Sequence, residues 1–75
     1  MTTLQVCFPT KESVSEFVKT ASKLPFEMDL MNGSCVVDAK SIMGVLYLGI
    51  GRILHLETPL EHAAEAKLAL ADYIV

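Results

Sequence analysis

The sequence predicts an α+β open-faced sandwich: a four-stranded antiparallel sheet with helices packed on one of its faces, in the order βαββαβα. Three observations predict it. Runs with a two-residue apolar period occur at Thr2–Phe8, on both sides of Asn32-Gly33, and at Arg52–Glu57. Stretches with a 3.6-residue period follow the first and last of these. The chain has only 75 residues, which allows one core and one domain, residues 1–75.

The first strand, Thr2 to Phe8, alternates Leu4, Val6 and Phe8 with Thr3, Gln5 and Cys7. Pro9 ends it. Lys11 to Lys23 forms a helix, because Val14, Phe17, Val18 and Ala21 make one apolar stripe. Ser13 with Glu16 has the spacing of a capping box, and Thr10 competes as N-cap. Pro25 stops the helix near Lys23.

Phe26–Met31 and Ser34–Ala39 form a hairpin around Asn32-Gly33, the pair suited to a type I′ turn. That turn pairs Leu30 with Cys35 and Met28 with Val37. It places Phe26, Met28, Leu30, Cys35, Val37 and Ala39 on one face. From Lys40 to Leu48 the pattern is ambiguous. Ser41 can cap a short helix, but no single helical face buries all of Ile42, Met43, Val45, Leu46, Tyr47 and Leu48. Gly49-Ile50-Gly51 breaks the chain before the last strand, Arg52 to Glu57.

Thr58-Pro59-Leu60-Glu61 has the form of a helix start, with Thr58 as cap and Glu61 closing the box. The expected apolar stripe beyond it is Leu60, Ala64, Lys67, Leu68, Ala71 and Ile74, with the Lys67 stem along its edge.

Composition narrows the function classes. The chain is 52% hydrophobic and 20% charged, which excludes disorder. Its net charge is -3, with six scattered Lys and Arg, so no nucleic-acid partner is expected. No run approaches the ~20 apolar residues of a membrane span, and the N-terminus lacks the pattern of a signal peptide. These features point to the cytoplasm, with Cys7 and Cys35 as reduced thiols on opposite faces of the sheet. Cys7 with His55 is too few ligands for a metal site, and no cofactor is expected. No nucleophile–base pair stands out, so no enzymatic activity is expected.

The segment Lys40-Ser41-Ile42-Met43-Gly44-Val45-Leu46-Tyr47-Leu48-Gly49-Ile50 resembles HPr, the phosphocarrier family of the bacterial sugar phosphotransferase system. Phe17-Val18-Lys19 with Ala21 is similar to that family's first helix, and Asn32-Gly33 to its hairpin turn. The resemblance implies protein partners, among them the HPr kinase or a transcription regulator. It implies Ser41 as a regulatory phosphorylation site. Ile42, Met43 and Leu46 match an exposed patch on which partners dock; on periodicity alone they could also fill gaps in the core.

The departure from the family lies at the first helix. Counting back from Phe17-Val18, Thr10 stands where the family has its phosphate-accepting histidine. Glu12 and Ser13 replace an Arg-Pro pair. Transfer through phosphohistidine needs a nucleophilic imidazole and cationic groups around the phosphoryl oxygens. Threonine is a weaker nucleophile, and Glu12 repels phosphate. The expectation is therefore a regulatory, partner-binding member of the family. The rival readings are a small ligand-binding or regulatory α+β domain sharing only the architecture, and a carrier that uses His55 or His62.

Overall fold

The computed structural model describes all of residues 1–75. Its strands are β1 (Thr2–Cys7), β2 (Asp29–Asn32), β3 (Cys35–Asp38) and β4 (Ile53–Thr58). Its helices are α1 (Lys11–Ser22), α2 (Ile42–Leu48) and α3 (Ala63–Ala69), the last flanked by single 3₁₀ turns at Leu60–His62 and Ala71–Tyr73. The strands form one antiparallel sheet in the order β1-β4-β2-β3. The expected open-faced sandwich is the observed one.

One face of the sheet and the inner sides of the helices make the core. Val6, Leu30, Leu54 and Leu56 come from the strands, Phe8 and Met28 from the residues next to β1 and β2, and Val14, Phe17 and Ala21 from α1. Phe17 sits at its centre, 4.6 Å from the Phe8 ring and edge-on to Tyr73 at 5.4 Å. Burial, then the nearby Glu16 and Asp72, raise the Tyr73 pKa above its ordinary value. The cysteines are free and half-buried. Cys35 packs against the core, Cys7 lies on the opposite face, and two strands separate theirs.

The hairpin differs from expectation in register. Asn32 pairs with Cys35 and Leu30 with Val37, so the two turn residues are Gly33-Ser34. Gly33 alone has positive φ, at 62°, which is the sign pattern of a type II′ turn and not of type I′. Asn32 remains in the strand, where its side-chain amide donates to the Leu48 carbonyl at the end of α2 (3.3 Å). Each strand residue moves by two along its partner, an even shift, so every side chain keeps its expected face.

The C-terminal segment needs two corrections. Thr58 does not cap a helix. It closes β4 opposite Thr2, and its side chain follows Leu54 and Leu56 into the core. The Thr58 Oγ1 is buried without a protein partner. Replacing Thr58 with valine keeps the shape and removes that uncompensated hydroxyl. The variant is expected to melt higher, by a stability gain of about 1 kcal/mol. A lower melting temperature would show that the hydroxyl does find a partner in solution.

The second correction concerns which face α3 buries. Ala66 and Leu70 are buried and Tyr73 half-buried, so this side meets the core. The expected stripe of Leu60, Ala64, Leu68 and Ala71 faces outward instead. Of its apolar members only Ile74 turns in; there the chain has left the helix and bridges to Val6.

Candidate functional site

Two segments carry the candidate site residues: the start of α1 and the whole of α2. At α1 the N-cap contest goes to Thr10. The Ser13 N–H donates to Thr10 Oγ1 (3.1 Å), and the Thr10 N–H donates to Ser13 Oγ (3.1 Å). This is a reciprocal box with serine in the place of the usual glutamate. Thr10 is exposed, and Glu12 lies in the first turn of the helix.

At α2 the ambiguous apolar run resolves into a helix. Ser41 caps it, accepting from the Gly44 N–H (3.3 Å). Lys40 fixes the approach: its Nζ donates to the Leu24 carbonyl (2.9 Å) and pairs with Glu27 at 3.2 Å. Its backbone N–H donates to Asp38 Oδ1 (2.9 Å). Gly44 lets the helix lie close to β3, because a Cβ there would sit 3.0 Å from the Val37 Cβ. Asn32 holds the far end of the helix.

With α2 so anchored, Val45 and Leu48 enter the core. Ile42 and Met43 face outward, Met43 at 77% exposure. Tyr47, one turn after Met43, is 79% exposed and belongs to the same surface. The sequence reading did not single it out, although the spacing of Val45 and Leu48 as core residues would have placed it there. Leu46 is half-buried and packs against the core, so it forms the edge of the patch and not its centre.

The two segments adjoin. The Gly51 N–H donates to the Phe8 carbonyl (2.8 Å), tying the loop after α2 to the loop that leads into α1. Neither histidine joins them. His55 is exposed on β4, on the open face between Gln5 and Met31. His62 stacks on Phe26 (4.4 Å, 6° between planes), with Nδ1 3.5 Å from Glu65 Oε1. No helix is long and apolar enough to cross a membrane.

Comparison with known proteins agrees with this geometry. The family model described as "PTS HPr component phosphorylation site" matches residues 12–75. The match begins two residues after Thr10. Among solved structures, HPr-C-His from Thermoanaerobacter tengcongensis superposes with a TM-score of 0.78 at 29% identity, covering 96% of this chain and 89% of that one. The phosphocarrier protein HPr from Bacillus anthracis str. Ames superposes at 0.77 with 28% identity, covering 99% and 96%. No curated protein matches the sequence. The family match over most of the chain and the shared fold together place this protein in the HPr family, the phosphocarrier family of the phosphotransferase system.

Proposed function

We propose that this member of the HPr family works as a regulatory partner-binding module and not as a histidine phosphocarrier. The observation that carries the reading is the outer face of α2: Ile42, Met43 and Tyr47 are exposed together on a helix held firmly from both ends. Three large apolar side chains in water on one short helix are better explained by docking than by folding. Ser41 supplies the switch. A phosphate there would bring about -1.5 to -2 charges to the edge of the apolar face. The helix N-terminus tolerates that charge, so the fold survives while partner choice changes. Partners with an arginine beside their groove gain a charge-assisted bond, and partners with acidic rims are repelled. This reading gives the chain no catalytic step of its own and sets it in the bacterial cytoplasm.

The test uses the HPr kinase with ATP as enzyme and as binding partner. The kinase is expected to phosphorylate Ser41 and to leave Ser41→Ala unmodified. Met43→Glu is expected to bind about tenfold or more weakly, because the contact loses most of a buried methionine. Its stability should stay within ~0.5 kcal/mol of the parent, as for other exposed positions. Kinase binding unaffected by Met43→Glu would remove the docking surface. Phosphate found on another residue would remove the switch.

A further inference from the structure

The face of the sheet that carries no helix offers a second surface, and the strand register sets its side chains in rows. Asp29 of β2 lies directly opposite Asp38 of β3 on one side and Glu57 of β4 on the other. Two residues along the strands, the next row sets Met31 between Val36 and His55. Ile53 follows on β4, diagonal to Met31. Val36 and Ile53 are 55% and 58% exposed. Leu30, Leu54 and Leu56 of the same strands point to the core, so packing of the domain accounts for neither row.

The acidic row works against the fold. Like charges directly opposite on adjacent strands repel, and no cation neutralises these three. The ion pairs of the chain are Lys40–Glu27 and His62–Glu65. Lys40, two residues beyond Asp38, offers that aspartate its backbone N–H, while its Nζ is held by Glu27 and the Leu24 carbonyl. The other six acids of the chain equal its Lys and Arg in number, so the net charge of -3 is that of this row. One face thus concentrates the negative field of the domain beside exposed apolar side chains. A second copy meeting it face to face about a two-fold axis would set three acids against three, and nucleic acid or an anionic membrane is repelled as well. The dimensions fit a helix. At ~4.8 Å per strand step, the three carboxylate positions span roughly 10 Å. Lysines at i, i+4 and i+7 of an α-helix span about the same length. We infer that the open face of the sheet docks a basic amphipathic helix of another protein. It lies across the strands, with Lys or Arg over Asp29, Asp38 and Glu57 and apolar side chains on Met31, Val36 and Ile53.

The experiment titrates the full chain, labelled with ¹⁵N, with two synthetic helical peptides of about five turns. Both carry a leucine stripe. Beside it, one has lysines at i, i+4 and i+7 and the other has glutamates. The lysine peptide is expected to shift the amide signals of Asp29–Asn32, Cys35–Asp38 and Ile53–Thr58 and to leave those of α2 and α3 in place. Its affinity should fall several-fold when salt rises from about 0.05 to 0.5 M, as screening shortens the reach of the acids. Asp29→Asn removes the centre of the repelling row. It should weaken the peptide about two- to fivefold and yet melt at or above the parent. Met43→Glu should bind the peptide as the parent does. A lower melting temperature for Asp29→Asn overturns the proposal, since the carboxylate then serves the fold. So does equal binding of both peptides, binding centred on α2, or no binding. An oligomer in sedimentation that Asp29→Asn disperses makes a second copy the occupant and overturns it too. Calcium chloride that shifts the same amides at matched ionic strength overturns it in favour of a cation.

Discussion

Replacing Phe17 with alanine is expected to remove about 3–5 kcal/mol of stability, among the largest losses from any single truncation in this chain. Phe17 is fully buried and touches two other rings, Phe8 and Tyr73, which α1 alone does not order. The lost contacts therefore include those that tie α1 to the end of the first strand and to the C-terminal turn. A domain of 75 residues has a total stability of roughly 4–11 kcal/mol. The substitution thus removes between about a quarter and all of it. The melting temperature should fall by roughly 12–40 °C. Phe17→Leu keeps most of the volume and should retain the greater part of the stability. Thermal unfolding followed by circular dichroism checks both. A loss under 1 kcal/mol for Phe17→Ala would mean that the site collapses around the missing ring.

The other large effect concerns phosphoryl transfer. Incubation with phosphoenolpyruvate and the first enzyme of the phosphotransferase system is expected to leave the intact mass of this chain unchanged. Thr10 occupies the head of α1, but its hydroxyl is engaged with the Ser13 N–H and it has no imidazole to offer. Glu12 adds a negative charge to the first turn of the helix, which opposes a dianionic phosphoryl group there. Lys11 is the cation of the first turn and the adjacent Glu12 offsets it, so the helix N-terminus presents no net positive side-chain charge to an anion. Thr10→His alone should recover little transfer, because Glu12 still repels the phosphate. Thr10→His with Glu12→Arg should recover more, since it supplies both the imidazole and a net positive charge. An acid-labile adduct on His55 or His62 of the unaltered chain would make it a carrier by another route and sink the regulatory reading.

How far the fold can be read from the sequence varies with each element. α1 was legible because Val14, Phe17, Val18 and Ala21 form its only apolar stripe. The hairpin faces were legible because alternation fixes parity. Its register was not, because the choice between Asn32-Gly33 and Gly33-Ser34 as turn depends on a contact 16 residues away, from Asn32 to the Leu48 carbonyl. Thr58 has the local signals of a helix cap, yet its pairing with Thr2 and the pull of the core override them. α3 has apolar residues on both sides, and periodicity alone does not say which side meets the sheet. Bulk favoured Leu60 and Leu68, whereas the core took Ala66 and Leu70. In the site, Ile42 and Met43 were legible through the family resemblance. Leu46, expected in the patch, lies at its edge, and Tyr47, for which no role was expected, lies in it, because the core anchors at Val45 and Leu48 set the rotation of α2.

The order of strands in the sheet has a consequence for how the chain comes to fold. β4 lies between β1 and β2, although it is the last strand in the sequence. During synthesis β1 leaves the ribosome first and has no ladder partner until Ile53–Thr58 has followed it. Only the β2–β3 hairpin can close early from neighbouring residues. The domain is therefore expected to assemble in one late step as β4 inserts, with long-range pairing limiting the rate. Nascent chains stalled before β4 clears the exit tunnel should be cut rapidly by protease within β1, and chains stalled after the C-terminus has cleared it should resist. Until β4 arrives, β1 has an open edge that a chaperone would have to cover.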